Sequence, residues 1–219
     1  MIIEMDKEDL VSLVKKQLTN LFIFNEAEED QTLKDNISIA LSRSEHCFSK
    51  SSNNKYYKRD LETYFNPFHS GQYCIFLYFL SNSIWRSDPR KNNLADRIYY
   101  LNKALNALDL FYEVEMPDVF FLDHPVGSVL GRAKYGKNFC FAQNCTVGNN
   151  KGTYPEIGEN VKMLANTTIL GKCKIGNNVI ISANTYIKDS DIPNNCIVFG
   201  SSPNLTIKLR DESYFNHLT

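Results

Sequence analysis

With 219 residues, of which 43% are hydrophobic, the chain is long enough for one large domain or two small ones around a real core, which excludes global disorder. Its 24 Lys and Arg against 25 Asp and Glu leave a formal net charge of -1. No basic surplus exists to neutralise a phosphate backbone, so nucleic acid is not an expected partner.

The opening MIIEMDKEDL is broken by acidic residues and has no apolar signal core. The first helix is expected from Asp6, with Asp6 as N-cap and Asp9 three residues on, a relative of the capping box. Leu10, Leu13, Val14, Leu18 and Leu21 follow at helical spacing. A second helix is expected over Asp30–Arg43, then a polar loop over Ser49–Asn54. A Tyr- and Phe-rich helix is expected over Ser70–Trp85. It holds the run Cys74–Leu80, which is too short to span a bilayer, so the expectation is a soluble, cytoplasmic protein with no membrane span. After a connection at Ser87–Asn93, a last helix over Leu94–Leu110 should set Leu101, Leu105, Leu108 and Tyr112 on one side.

From Val129 the period changes. Val129, Tyr135, Phe141 and Val147 stand six apart, and so do Ile157, Met163, Ile169, Ile175, Ile181 and Ile187. Four places after most anchors comes a second small or apolar residue: Ala133, Phe139, Cys145, Val161, Thr167, Cys173, Val179 and Thr185. Period six fits neither an α-helix nor a plain strand. It is the hexapeptide pattern of a left-handed parallel β-helix, in which three hexads close one triangular coil. Asn177–Asn178 and Asn194–Asn195 suit corners that need positive φ. Between Val147 and Ile157 the spacing is ten, so the stretch Gly148–Glu156 should be ejected as a surface loop. The fold class is therefore α+β: an α-helical domain over 1–112, a left-handed β-helix of hexapeptide repeats over 113–208, and a tail over 209–219.

The six cysteines form no Cys-x-x-Cys pair, and with four histidines they give no zinc-ligand spacing, so no metal is expected and the thiols read as small buried side chains. There is no phosphate-binding glycine loop and no Gly-x-Ser-x-Gly. His46, His69 and His217 read as structural.

The segment Leu122-Asp123-His124-Pro125-Val126-Gly127-Ser128-Val129-Leu130-Gly131 resembles the Leu-Asp-His-x-x-Gly-x-Val-x-Gly stretch of serine O-acetyltransferases. Cys145-Thr146-Val147-Gly148, Ser182-Ala183-Asn184-Thr185, Gly200-Ser201-Ser202-Pro203 and the upstream Tyr64–His69 resemble further segments of that family, so the likeness covers roughly residues 60 to 208. The coil around Leu130–Tyr135 is similar to members that accompany bacterial surface-polysaccharide synthesis. The resemblance implies acetyl transfer from acetyl-CoA to a hydroxyl, with His124 as general base and Asp123 touching the acceptor. The carboxylate that orients the histidine is expected at Glu115, with Asp118 in reserve. Where the family has Arg-His-Pro in its ejected loop, this chain has Thr153-Tyr154-Pro155.

An alcohol needs its proton removed as it attacks the thioester, and a histidine is suited to that because its ordinary pKa lies near neutrality. The carbonyl oxygen becomes negative and needs donors, for which corner N–H groups, Gln143 or Asn144 are candidates. Asp123, Tyr154 and Asn144 are the candidate acceptor contacts. Ala183, Ser201 and Ser202 are candidates for the pantetheine of the co-substrate, and Lys188 or Lys208 for its phosphates. Such a groove lies between prisms, so a homotrimer is expected, with dimers of trimers open. The departures in the loop point to a sugar hydroxyl of a surface polysaccharide or its precursor as acceptor. L-serine as acceptor, in cysteine biosynthesis, is the alternative, and a non-catalytic β-helix scaffold is the second. N-acetylation of an amino sugar also stays open.

Overall fold

The computed structural model describes residues 1–51 and 54–218. Residues 52 and 53 of the expected loop lie outside the described residues, as does the side chain of His217. The chain forms two compact units, Met1–Asn106 with Phe111–Glu113, and Ala107–Leu110 with Val114–Thr219.

The first unit holds α1 (Lys7–Leu21), α2 (Glu26–Ser49), the single turn α3 (Asn54–Tyr57), α4 (Ser70–Ser87) and α5 (Asn92–Asn106). Leu10, Val14 and Leu18 of α1 are fully buried, while Leu21, expected on the same face, is exposed at the last turn. Asp6 is the N-cap of α1, but its side chain makes no cap bond. Its carbonyl accepts from Leu10 N–H at 2.9 Å. Helix α2 exceeds its expected span at both ends, and Glu26, Glu28 and Glu29 in its first turn complement the helix dipole. Helix α4 is buried all round from Gln72 to Ile84, as its uninterrupted apolar run requires. Two buried amides of this unit tie its segments together. Asn82 Nδ2 donates to Tyr112 O at 2.7 Å, and Asn102 Nδ2 donates to Cys74 O at 3.0 Å.

Helix α5 stops at Asn106 rather than at Leu110. Ala107 turns into the left-handed region at φ 49°, and Asp109–Leu110 becomes a strand paired in parallel with Val129–Leu130. Long-range pairing overrides helix propensity here. Leu108 and Tyr112 are buried outside the helix, and Leu105 on it is about half exposed.

The second unit is the left-handed parallel β-helix. Its first wall stacks Phe120–Leu122, Phe139–Phe141, Val161–Met163, Val179–Ile181 and the start of Cys196–Ser201. The second wall stacks Asp109–Leu110, Val129–Leu130, Thr146–Gly148, Thr168–Leu170 and Tyr186–Lys188. The third stacks Lys134–Tyr135, Glu156–Ile157 and Lys174–Ile175. The anchors point inward in register: Phe141, Met163 and Ile181 on the first wall, Val147, Ile169 and Ile187 on the second, Ile157 and Ile175 on the third, all buried.

The expected first anchor, Val129, is wrong by one position. Val129 is 43% exposed, and Leu130, 2% exposed, stacks on Val147 instead. A one-residue slip moves a side chain to the opposite face of a strand. Six-residue spacing back from Tyr135 picks the outward residue, because the corner between Leu130 and Tyr135 is one residue shorter than a hexad. Tyr135 is only partly buried, and its hydroxyl donates to Gly131 O at 2.7 Å.

The corners are held by asparagine ladders. Asn138, Asn160, Asn178 and Asn195 all take φ of 54–58°, and each amide donates to the Oδ1 of the next at 2.8–2.9 Å. Asn144, Asn166 and Asn184 form a second ladder at φ 54–61° with bonds of 3.0–3.1 Å. Asparagine tolerates the left-handed region and bonds along the stack. The last strand, Asn204–Leu209, folds back antiparallel on Cys196–Ser201 through a turn containing the cis Ser202–Pro203 peptide. Among the described residues no helix is long and apolar enough to cross a membrane.

Candidate active site

Two departures from the repeat flank the second wall. Ile169 pairs with Ile187, 18 residues on, but Val147 pairs with Ile169, 22 residues on, so four extra residues are ejected after Gly148. On the other edge, five residues separate Leu122 from the corner residue Ser128, where three separate Phe141 from Cys145.

That longer corner carries His124. Asp123 N–H makes the last ladder bond of its wall, to Phe141 O at 2.9 Å, and His124 then enters the left-handed region at φ 51°. Such a backbone costs a non-glycine residue about 1–2 kcal/mol and persists where its surroundings enforce it. Here they do. Val126 N–H donates to His124 O at 2.8 Å, Gly127 N–H to Ala107 O at 2.9 Å, and Asn144 N–H to Val126 O at 2.9 Å. Buried Ser128 donates to Ala142 O at 2.8 Å and accepts from Cys145 N–H at 3.0 Å. Gly127 has φ 77°, and a Cβ there would fall 2.2 Å from Asn144 Oδ1, so any larger residue would strain the turn and displace the Asn144 amide.

The imidazole that results is presented to solvent, its side chain 80% exposed, with Nε2 3.5 Å from Asp123 Oδ1. That is beyond a good hydrogen bond. The imidazole is therefore close to a carboxylate without being immobilised by it. Glu115 and Asp118 are exposed in the segment leading to Phe120–Leu122.

The other expected residues fall in two rows. Gln143 and Asn144, and Ala183 two coils further on, lie on the same edge of the prism as His124. Asn144 spends its amide N–H on Asn166 Oδ1 in the ladder. Along the opposite edge of the second wall stand Tyr154 in the ejected loop, Lys188, Ser201 and Ser202. The Ser202 hydroxyl accepts from Lys188 N–H at 3.0 Å and shares a hydrogen bond with Ser190. Lys208 stands on neither edge. It lies on the returning strand, its ammonium 5.2 Å from the Phe199 ring centroid, a cation–π distance.

The outward residues of the two middle strands of the second wall are uncharged, Thr146, Gly148, Thr168 and Leu170, while Asp109 and Lys188 stand outward on its first and last strands. The third wall is charged, with Lys134 paired to Glu156 at 2.9 Å. Three of the thiols are made weaker acids by burial. Burial pushes Cys74 up to about 12, Cys140 to about 11 and Cys196 to about 11. Among the described residues no group of three or more His, Cys, Asp or Glu is placed to hold a metal ion. Ser128, Asn150 and Asp189 are not singled out by the sequence. Ser128 could be found only by setting the anchor at Leu130, since it then heads the corner column of Cys145, Thr167 and Thr185.

The family model described as bacterial transferase hexapeptide (six repeats) matches residues 154–189. A serine acetyltransferase of Staphylococcus epidermidis is 28% identical over 137 residues, 60% of this chain and 63% of that protein, so the match spans under two thirds of the curated relative's length. The crystal structure of serine acetyltransferase from Brucella abortus superposes with a TM-score of 0.66 at 18% identity, covering 93% of this chain and 84% of that one. A serine acetyltransferase in complex with CoA superposes with a TM-score of 0.57 at 17% identity, over 90% and 74% of the two chains. The chain thus carries the hexapeptide repeat over residues 154–189, and it is similar to serine acetyltransferases in sequence over part of its length and in fold.

Proposed function

We propose that the chain is an O-acetyltransferase that moves the acetyl group of acetyl-CoA to an acceptor hydroxyl, with His124 as general base. The observation that carries this reading is the exposed imidazole held on a left-handed backbone beside Asp123, at the edge of the second wall. His124 takes the hydroxyl proton as the oxygen attacks the thioester carbonyl. The C–S bond then breaks, and the CoA thiolate leaves and takes up the proton. Asp123 favours the imidazolium while it lasts. Corner N–H groups on the His124 edge are suited to receive the developing oxyanion.

The two rows of expected residues support a homotrimer. About five residues of extended chain, roughly 15 Å, separate the edges across one wall. The His124 edge of one copy and the Lys188–Ser202 edge of another line one groove only if copies pack side by side. Ala183, Ser202 and Lys188 then serve the pantetheine and phosphates of the co-substrate.

The names of the relatives favour L-serine as acceptor. A second acceptor, a sugar hydroxyl of a surface polysaccharide or its precursor, is favoured by Thr153-Tyr154-Pro155 in the ejected loop, which lacks the arginine and histidine of the family's motif. An acetyl-CoA assay offered L-serine and nucleotide-linked sugars separately decides between them. Turnover of serine alone supports the first, turnover of the sugar alone the second. Absence of both turnover and acetyl-CoA binding rejects the transferase reading and leaves a β-helix scaffold.

A further inference from the structure

The ejected loop is a built structure. Asn150 and Thr153 exchange two backbone hydrogen bonds of 3.0 Å around Lys151 and Gly152, whose φ values are 50° and 78°. Positive φ at both central residues makes this a type I′ turn, the tight connection of a two-residue hairpin. The hairpin leads directly into Tyr154.

Its root is fastened across three coils. Asn150 Nδ2 donates to Asp189 Oδ2 at 2.5 Å, and Asp189 Oδ1 accepts from Lys172 N–H at 2.9 Å. Asp189 itself takes φ 46° at the corner, and Gly171, at φ 79°, lies between Asn150 and Asp189. A Cβ on Gly171 would meet Asp189 Oδ1 at 2.1 Å and Asn150 Cβ at 2.6 Å, so the fastening closes only over a glycine. The Lys172 N–H and the Asn150 amide hold the Asp189 carboxyl below the usual carboxylate range, so it stays an anion at neutral pH. An ionised acceptor makes the stronger kind of hydrogen bond.

A regular prism has no concave site of its own. What shapes one is whatever leaves the repeat, and here the two departures, the His124 corner and this hairpin, both border the second wall. We propose that Asp189 is a positioning residue for the acceptor: through Asn150 it holds the hairpin, and with it Tyr154, at the edge of that wall and so sets acceptor affinity. The proposal rests on the transferase reading above.

The test is steady-state kinetics on the full chain with whichever hydroxyl acceptor the wild type turns over. Asp189→Ala is expected to raise the acceptor KM by about tenfold, the loss of one charge-assisted anchor. Its kcat and its KM for acetyl-CoA should stay close to wild type. Asp189→Asn should restore the acceptor KM, because its oxygen can keep the Lys172 N–H and its amide can donate to Asn150 Oδ1. Gly171→Ala, which crowds the same fastening, should mimic Asp189→Ala. An unchanged acceptor KM in a folded Asp189→Ala protein overturns the proposal. So does an equal loss in kcat and in both KM values, or a failure of Asp189→Asn to rescue. A wild type that acetylates no hydroxyl sinks the transferase reading itself, and the role of Asp189 falls with it. An active wild type indifferent to Asp189→Ala sinks the role alone.

Discussion

At the scale of single residues, the proposed chemistry rests on His124. Removing a general base slows transfer by about 10²–10⁴-fold, so His124→Ala should lose that much kcat while keeping its circular dichroism spectrum, because the imidazole is exposed and packs on little. The thiols give a contrasting expectation. With Cys74 raised to about 12 by burial, and Cys140 and Cys196 to about 11, alkylation at pH 8 should leave acetyl transfer intact. Rapid inactivation by a thiol reagent would argue for a cysteine in the site. His124 was legible in the sequence because the motif around it is contiguous. Asp189 was not, since its partners Asn150 and Lys172 lie 39 and 17 residues away and only the coil unites them.

At the scale of elements, α4 and the corner ladders carry distinct predictions. His69 is the N-cap of α4, its Nδ1 accepting from Gln72 N–H at 3.3 Å, and burial lowers its pKa from the ordinary value. A histidine whose folded pKa is depressed stabilises as the neutral form. Its contribution is present above the unfolded value near 6.5 and is lost as pH falls below it. Urea midpoints should therefore drop between pH 7 and pH 5 in the wild type by more than in His69→Asn, whose amide caps without titrating. In the ladder, Asn178 both donates to Asn195 and accepts from Asn160 at φ 56°. Asn178→Ala loses both bonds and strains the backbone, so it should cost about 2–4 kcal/mol in chemical denaturation. Asn178→Gly relieves the strain and should cost less. The hexads made these coils readable because each anchor repeats a chemical choice at a fixed spacing. The readings failed at Val129 and at the end of α5, where a short corner and a long-range strand pairing break the local pattern.

For the whole molecule, the proposed groove needs two edges that one prism keeps apart, so assembly and activity should be linked. Sedimentation at assay concentrations should find three copies together, and dilution that yields monomers should abolish turnover. Stability in a coil of this kind is a sum over neighbouring turns rather than a property of one centre. Phe120–Leu122 lies at the end of its sheet, and among the described strands it pairs only with Phe139–Phe141. His124 follows it by two residues. The imidazole thus hangs from a terminal rung that is bonded on one side only, a place where such a stack can fray first. Rising denaturant should silence the catalyst while most of the prism still stands, much as a zipper parts at its open end before the teeth in the middle feel any pull.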